Sequence, residues 1–370
     1  MAISRPSVPK ILAYNFVVLF VLLNLAYWTI PFFGTLSWIY KTTFLETLTR
    51  TIPRSYDIGD RAWVKRHWME LNRSPGVYRS YVGWRQDPMA GETITIEGTY
   101  RQRRTLNNPA SSKRVYFFGG STMWGWGVND AGTIPSQFAA HTGFHAENFG
   151  EQGWVAHQSL VLLIELIQSG HRPDVVVFYD GVNDASEKCR SELPAKPLAH
   201  QQERQFEQVL RASIKPDSYS HYLAPVLTVA RRLNEKLGLV SAPAWFDCDT
   251  NPQKAEAVAD ALLQDWMLAK RLVEAQGGKF IGLLQPVAAL SKTRLDHLKL
   301  SDAVSAQFRA VYRKVQQKIA GQNAFHDLVA LLDRDEYVYI DFCHLSPNGN
   351  RYVAQKIRGC RTPRVHGDLR

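Results

Sequence analysis

The first apolar feature of the chain is an uninterrupted run from Ile11 to Ile30, ILAYNFVVLFVLLNLAYWTI. It contains no charged residue and is about as long as a helix needs to cross a bilayer. A buried core helix fits this pattern less well, because apolar residues surround the whole helix. A cleaved signal peptide is the main alternative, but Pro31, Phe32 and Phe33 follow the run instead of small residues. The pattern therefore predicts an uncleaved transmembrane signal anchor over residues 11–31.

The next segment, residues 32–112, shows little periodic pattern. One alternating stretch, Thr93 to Ile96, predicts a single strand or one arm of a hairpin. The stretch Asn107 to Ser112 has the composition of a loop. We therefore interpret residues 32–112 as a basic juxtamembrane leader, with residues 1–10 as an N-terminal tail.

From Lys113 onward, short apolar runs alternate with amphipathic stretches. The predicted strands are Val115–Phe118, Phe144–Phe149, Val175–Tyr179 and Lys279–Leu284, and the predicted helices are Val155–Gln168, Ala255–Gln276, Val304–Ile319 and one from Pro347 through Ile357. Strands that alternate with helices predict a doubly wound α/β sheet with right-handed crossovers, built by residues 113–370. The alternation stops at about residues 186–252, where amphipathic stretches at Gln201–Ile214 and Ala224–Leu237 indicate a helical insertion.

Composition and charge argue against some classes of protein and of binding partner. The 370 residues are 45% hydrophobic and 21% charged, which argues against a disordered chain. The net charge of +10 first suggests a nucleic-acid or membrane partner. Residues 1–112 hold 14 Lys and Arg against 7 Asp and Glu, so +7 of the +10 lies there and only +3 in the remaining 258 residues. The excess is therefore interpreted as a juxtamembrane feature that faces anionic lipid headgroups, and no nucleic-acid partner is expected.

The charges that flank the anchor leave its orientation open. Arg5 and Lys10 precede the span, whereas Lys41, Arg50 and Arg54 follow it closely. Taken alone, the positive-inside rule weakly places the C-terminal side in the cytoplasm. Long domains can cross the membrane despite such flanking charges, so an extracytoplasmic domain remains compatible with the sequence.

Four short polar blocks each lie at a predicted strand end. The blocks are Gly119-Gly120-Ser121-Thr122, Asn148-Phe149-Gly150-Glu151-Gln152-Gly153, Gly181-Val182-Asn183-Asp184 and Asp341-Phe342-Cys343-His344. Each block alone is compatible with an ordinary turn. Because active sites of open α/β sheets form at the carboxyl ends of strands, we expect the four blocks to meet.

Together the blocks supply the groups needed for acyl transfer through a serine ester. Ser121 is the candidate nucleophile, His344 the general base and Asp341 the carboxylate that orients the imidazole. The candidate oxyanion donors are the backbone N–H groups of Ser121 and Gly153 and the side-chain amide of Asn183. The spacing of three residues between Asp341 and His344 lets the carboxylate reach Nδ1–H while Nε2 faces the nucleophile.

This constellation resembles the SGNH/GDSL hydrolase superfamily over roughly residues 114–358. The matching residues, in chain order, are Ser121, Gly153, Asn183, Asp341 and His344. The resemblance implies a flavodoxin-like three-layer α/β/α fold with a parallel sheet and an esterase-type mechanism without a cofactor. It also marks the insertion as a region that varies within the family. The chain departs from the usual Gly-Asp-Ser in having Gly120 in place of the Asp, which is not a triad member.

Three further residues are candidates for substrate binding. Trp124, like Trp126, follows the nucleophile closely and either contacts a sugar or acyl group or packs in the core. Asp184 follows the Asn183 amide directly. Gln285 lies at the end of a predicted strand, where it either contacts substrate or forms a turn.

The four cysteines lie in the globular part and show no C-x-x-C spacing, so no metal site is expected. Cys343 and Cys360 flank a predicted helix and would lie roughly 15 Å or more apart, too far for a disulfide. Cys189 is expected to pair with Cys248 or with Cys343, unless the thiols are buried and free. A disulfide would favour an extracytoplasmic location.

The leading functional hypothesis is a single-pass protein of the bacterial inner membrane with a serine esterase domain in the periplasm. Its expected substrate is an O-acyl ester, such as an acetyl ester, of a cell-envelope glycan. An O-acyltransferase that uses the same residues is the closest alternative. A non-catalytic glycan-binding domain and a lipase acting on membrane lipid are further alternatives, and the oligomeric state stays open.

Overall fold

The structure is a computed structural model that describes residues 8–40, 52–74, 76–193, 229 and 245–360. The predicted helical stretches at Gln201–Ile214 and Ala224–Leu237 lie outside the described residues, apart from Val229. The chain divides into two units, of which the first includes residues 1–49 and the second includes residues 50–204 and 245–370.

The described residues of the first unit include a long helix, α1, Val8–Tyr40. Its residues Val8–Ala26 are apolar enough to cross a membrane, with a mean hydropathy of 1.9. Asn24 Nδ2 and Thr29 Oγ1 donate to carbonyl oxygens one turn earlier in the same helix, so these two donors are paired within the helix. At 1.5 Å per residue the helix is about 50 Å long, so it extends beyond a bilayer core of about 30 Å.

The second unit is built on a mostly parallel sheet, which confirms the predicted α/β fold. Its five parallel strands are β6 (Arg114–Gly119), β7 (His145–Asn148), β8 (Val175–Asp180), β9 (Lys279–Leu284) and β10 (Phe325–Asp327). Their spatial order is β10-β9-β8-β6-β7, which is the flavodoxin-like order. The direction of strand succession reverses between β6 and β8, and ligands bind at such a switch point.

Helices cover both faces of this sheet and make three layers. The helices are α4 (Ile134–Thr142), α5 (Ala156–Gln168), α6 (Val182–Lys188), α7 (Pro252–Glu274), α8 (Asp302–Ile319) and α9 (Pro347–Gly359). Buried side chains of α5, α7 and α8 pack with one another and with the alternate strand residues Tyr116, Phe118, Val176 and Phe178. Those of α4 and α9 pack with Val115, Phe117, Val175 and Val177 on the opposite face.

The segment interpreted as a leader is in fact part of the folded unit. Three short antiparallel strands, β3 (Met89–Ala90), β4 (Thr95–Glu97) and β5 (Gln102–Arg103), extend the sheet beyond β7. A helix, α2 (Arg61–Arg73), and a separate hairpin of β1 (Gly76–Arg79) and β2 (Gly83–Gln86) precede them. The second unit therefore begins before the boundary expected at residue 113, because Tyr56, Val64 and Trp68 pack with its core residue Ile340.

Burial removes two arginines from the basic residues interpreted as lipid-facing. The Arg103 side chain is fully buried and pairs with Asp130, with 2.6 Å between Nε and Oδ1. Arg85 is also buried and pairs with the buried Glu151. These two charges are neutralised inside the protein, so they are unavailable to lipid headgroups.

A disulfide between Cys189 and Cys248 closes the base of the insertion. It joins the end of α6 to the segment just before α7. Cys343 and Cys360 are free, so the alternative pairing with Cys343 is wrong.

Candidate active site

The candidate nucleophile lies on a tight turn at the end of β6. Ser121 begins a short helix, α3, Ser121–Trp124, directly after Gly119 and Gly120. Gly119 has a φ of +150°, and a β-carbon there would lie 2.4 Å from the carbonyl oxygen of Tyr179 on the neighbouring strand. Glycine is therefore required for β6 and β8 to approach each other at this point.

The structure brings Ser121, His344 and Asp341 into one hydrogen-bonded chain. His344 Nε2 lies 2.7 Å from Ser121 Oγ, and His344 Nδ1 lies 2.7 Å from Asp341 Oδ2. The three side chains are half-buried, so the site is open to a ligand while the internal bonds are partly shielded. This arrangement can transfer a proton from the hydroxyl to the imidazole.

A tight turn holds the carboxylate and the imidazole together. The backbone N–H of Ile340 donates to the carbonyl oxygen of His344, which closes the turn. The second oxygen of Asp341, Oδ1, accepts hydrogen bonds from the backbone N–H groups of Cys343 and His344. Burial by itself raises the pKa of Asp341, but the His344 contact and these backbone donors outweigh burial and leave the pKa below its usual range.

The nucleophile segment and the base segment are also tied together behind the site. Gln285 Nε2 donates to Thr122 Oγ1 at 2.8 Å and to the carbonyl oxygen of Cys343 at 3.4 Å. Thr122 Oγ1 in turn donates to the same Cys343 carbonyl at 3.3 Å. Gln285 is buried, so the structure corrects its assignment to substrate binding and makes it a brace between Ser121 and His344.

The Asn183 amide lies directly beside the nucleophile turn. Its Nδ2 donates to the carbonyl oxygen of Trp154 at 2.8 Å, and a β-carbon on Gly120 would lie only 2.3 Å from this nitrogen. An amide nitrogen carries two hydrogens, so the bond to Trp154 leaves one for a ligand. Gly153, the residue before Trp154, has a φ of +73°. The Asn183 position also explains why residue 120 is glycine, since a side chain there would displace the amide.

Asp184 and Trp124, both expected to bind substrate, are buried and contact other side chains of the protein. Asp184 Oδ1 pairs with the buried Lys188 at 2.7 Å, and Oδ2 accepts from the backbone N–H of Ala156. Trp124 is 1% exposed and lies beneath the Arg103 guanidinium, 4.4 Å from its ring centroid. Both assignments to substrate contact are therefore corrected, because neither side chain reaches the surface.

Trp126 behaves differently from Trp124. Its ring lies against the imidazole of His344, with 4.1 Å between the ring centroids and 30° between the planes. The sequence places both tryptophans near the nucleophile but does not distinguish them. Trp126 therefore belongs to the site, whereas Trp124 belongs to the core.

The segment that precedes β6 supports the loop from Glu151 to Trp154. Glu151 accepts hydrogen bonds from the backbone N–H of Gln86 and from Arg85 Nε. Trp154 Nε1 donates to the carbonyl oxygen of Trp84 at 2.8 Å. Sequence reasoning missed these supports, although the charge of Glu151 inside an otherwise uncharged block was a usable signal.

One group near the triad has the residue types of a metal site. Asp341, Cys343 and His344 offer ligand atoms that lie within 4.8 Å of one another. Burial and the neighbouring Asp341 charge raise the pKa of the Cys343 thiol well above its usual value, which disfavours the thiolate that a metal requires. The direct bond between Asp341 and His344 favours proton transfer instead.

Comparison with known proteins finds similarity among solved structures, whereas no protein-family model and no curated protein matches the chain. A lipolytic protein of the G-D-S-L family from Veillonella parvula is 13% identical, with 68% of this chain and 100% of that chain covered and a TM-score of 0.39. A carbohydrate acetylesterase from Sinorhizobium meliloti is 13% identical, with coverages of 67% and 99% and a TM-score of 0.36. An aryl esterase from M. smegmatis is 12% identical, with coverages of 67% and 100% and a TM-score of 0.38.

Proposed function

We propose that this chain is a membrane-anchored serine ester hydrolase of the SGNH/GDSL type. The observation that carries the proposal is the continuous chain of hydrogen bonds from Asp341 through His344 to Ser121, at the carboxyl end of the central strands. Asn183 beside Gly120 supports an oxyanion site on the adjacent side.

The mechanism follows from this geometry. His344 Nε2 accepts the Ser121 hydroxyl proton as Oγ attacks the ester carbonyl, and Asp341 stabilises the imidazolium that forms. The backbone N–H groups of Ser121 and Gly153 and the amide of Asn183 stabilise the tetrahedral oxyanion. The imidazolium then protonates the departing alcohol. Water, activated by His344, releases the acid from the acyl-enzyme and restores the serine.

The proposed substrate is an O-acyl ester, such as an acetyl ester, on a glycan of the cell envelope. The apolar helix α1 supports attachment to the bacterial inner membrane. The Cys189–Cys248 disulfide supports an oxidising, extracytoplasmic location for the catalytic domain, against the weak preference of the flanking charges.

The test is hydrolysis of p-nitrophenyl acetate by the purified full-length chain in detergent. We expect the Ser121→Ala variant to lose activity by roughly 10⁴-fold or more. The matched control is Ser186→Ala, which removes a half-buried hydroxyl close to Asn183 and should leave activity unchanged. Retained activity in Ser121→Ala would refute the proposal.

The same assay also distinguishes a hydrolase from the alternative, an acyltransferase. A sugar acceptor is added and the products are identified by mass spectrometry. Release of free acid supports the hydrolase, whereas transfer of the acyl group to the acceptor supports the transferase.

A further inference from the structure

The inference concerns the indole ring that covers the catalytic imidazole. The rings of Trp126 and His344 lie 4.1 Å apart at 30°, so the indole presents a face rather than an edge. The face of an indole attracts a cation. In the proposed reaction the imidazole becomes an imidazolium when it takes the proton of Ser121. The contact is therefore stronger in the charged state of the reaction than in the resting enzyme.

We propose that Trp126 is a positioning residue that stabilises the imidazolium of His344 and fixes the plane of its ring. The inference rests on the proposed function, because the charge appears only if His344 acts as a general base. An interaction that strengthens along the reaction raises kcat and leaves substrate binding unchanged. The expected signature is therefore a change in kcat with little change in KM.

Trp126 is well placed for this role because its backbone is attached to the nucleophile. Its N–H donates to the carbonyl oxygen of Ser121 at 2.9 Å. The indole therefore starts from the same turn that carries the hydroxyl and reaches across to the imidazole. One short segment thus fixes both partners of the proton transfer.

The backbone N–H and C=O of the next residue, Gly127, both form hydrogen bonds with the segment that precedes the β3–β5 strands. Its N–H donates to His67 Nε2 at 3.1 Å, and its carbonyl oxygen accepts from the Tyr56 hydroxyl at 2.6 Å. Its φ of +84° is in the region that favours glycine, and a β-carbon would lie 2.5 Å from Ile340 Cδ1.

The aromatic cluster of α2 completes the support. The ring of Trp68 meets Trp126 edge-on, with 4.6 Å between centroids, and Trp68 is itself buried. His67 is held in turn by Thr93, whose hydroxyl donates to Glu70 at 2.7 Å. The contacts of Trp68 with Trp126, and of His67 and Tyr56 with Gly127, therefore hold the indole in place.

The experiment compares Trp126→Leu with Trp126→Phe in the full-length chain. Both variants lose a similar volume, but only phenylalanine keeps an aromatic face. We expect Trp126→Leu to lower kcat by about 3- to 30-fold with KM within about twofold, the range that corresponds to a cation–π contact. Trp126→Phe should retain most of the native kcat. Trp63→Leu is the control, because Trp63 packs in the same cluster against Tyr56 and His67.

Inhibition by phenylboronic acid provides a second measurement. Loss of packing alone should not change its inhibition constant by the same factor as kcat/KM. The boron accepts the Ser121 oxygen and His344 takes the proton, so the adduct contains the imidazolium. We expect its inhibition constant in Trp126→Leu to rise by the same factor as kcat/KM falls. Thermal unfolding of each variant verifies that it is folded.

Two outcomes would overturn the inference. One is that Trp126→Leu keeps a native kcat and a native inhibition constant. The other is that Trp126→Phe or Trp63→Leu is impaired as much as Trp126→Leu, because the effect would then be one of volume. An inactive native chain that also fails to bind the boronic acid would instead refute the proposed function and, with it, the role of Trp126.

Discussion

Replacement of Arg103 by methionine tests whether the segment before β6 is structural. The guanidinium is fully buried, bonds Asp130 and donates to four backbone carbonyl oxygens, those of Thr93, Trp124, Gly125 and Val128. Methionine fills a similar space but removes these hydrogen bonds and leaves the Asp130 carboxylate without its cationic partner. Removal of one partner from a buried ion pair costs about 3–5 kcal/mol, a large fraction of the roughly 5–15 kcal/mol that stabilises a domain.

The assay is thermal unfolding of the full-length chain in detergent, followed by far-UV circular dichroism. A loss of about 3–5 kcal/mol should lower Tm by roughly 6–20 °C. The neighbouring residue provides the control, because Arg104 is about half exposed and pairs with the equally exposed Glu97. Arg104→Met should cost less than about 1 kcal/mol. Equal effects of the two substitutions would refute the assignment of Arg103 to the core.

Three further predictions concern the site and its support. Gly120→Ala should lower kcat by about 10- to 100-fold with little change in Tm, since the new methyl group displaces the Asn183 amide, and steady-state kinetics would check it. Cys189→Ser should remove about 2–4 kcal/mol of stability by opening the link to Cys248, and a matching loss of native Tm in reductant would verify the cause. Burial, followed by a neighbouring acidic charge, raises the pKa of Asp180 well above its usual value. Above about pH 4 the unfolded chain loses the Asp180 proton while the folded protein retains it, so folding takes up a proton. Asp180→Asn removes this cost. The variant should therefore be more stable than the native chain at pH 7 but not at pH 3, as measured by urea unfolding.

Three of the five parallel strands, β6, β8 and β9, could be predicted because they are apolar runs with buried side chains on both faces, whereas β10 was not predicted. Lys279–Leu284 was predicted with the bounds that the structure shows, and Val175–Asp180 differs by one residue. Only one strand of the antiparallel extension was predicted, Thr93–Ile96, which overlaps β4. The strands β3 and β5 have two residues each and carry too little pattern to detect. The burial of Arg103 could not be predicted from the sequence either, because its partner Asp130 lies 27 residues away.

The site could be predicted in part because its groups follow the ends of strands that the pattern reveals. Proximity in sequence identifies the loop that carries a side chain but not the direction in which that side chain points. Trp124 and Trp126 illustrate this, since one is buried beneath Arg103 and the other covers His344. Gln285 was likewise placed at the correct strand end but turns inward to bond Thr122.

The most direct measurement is labelling of the full-length chain by a serine-reactive fluorophosphonate probe, with the modified residue identified by peptide mass spectrometry. We expect one adduct on Ser121. It should form rapidly in the native chain and slowly in His344→Ala, because the imidazole must accept the hydroxyl proton. A probe that cannot cross the inner membrane should label intact cells as well, if the domain is extracytoplasmic. A native chain that stays unlabelled, or one that is labelled at a different serine, would contradict the central claim.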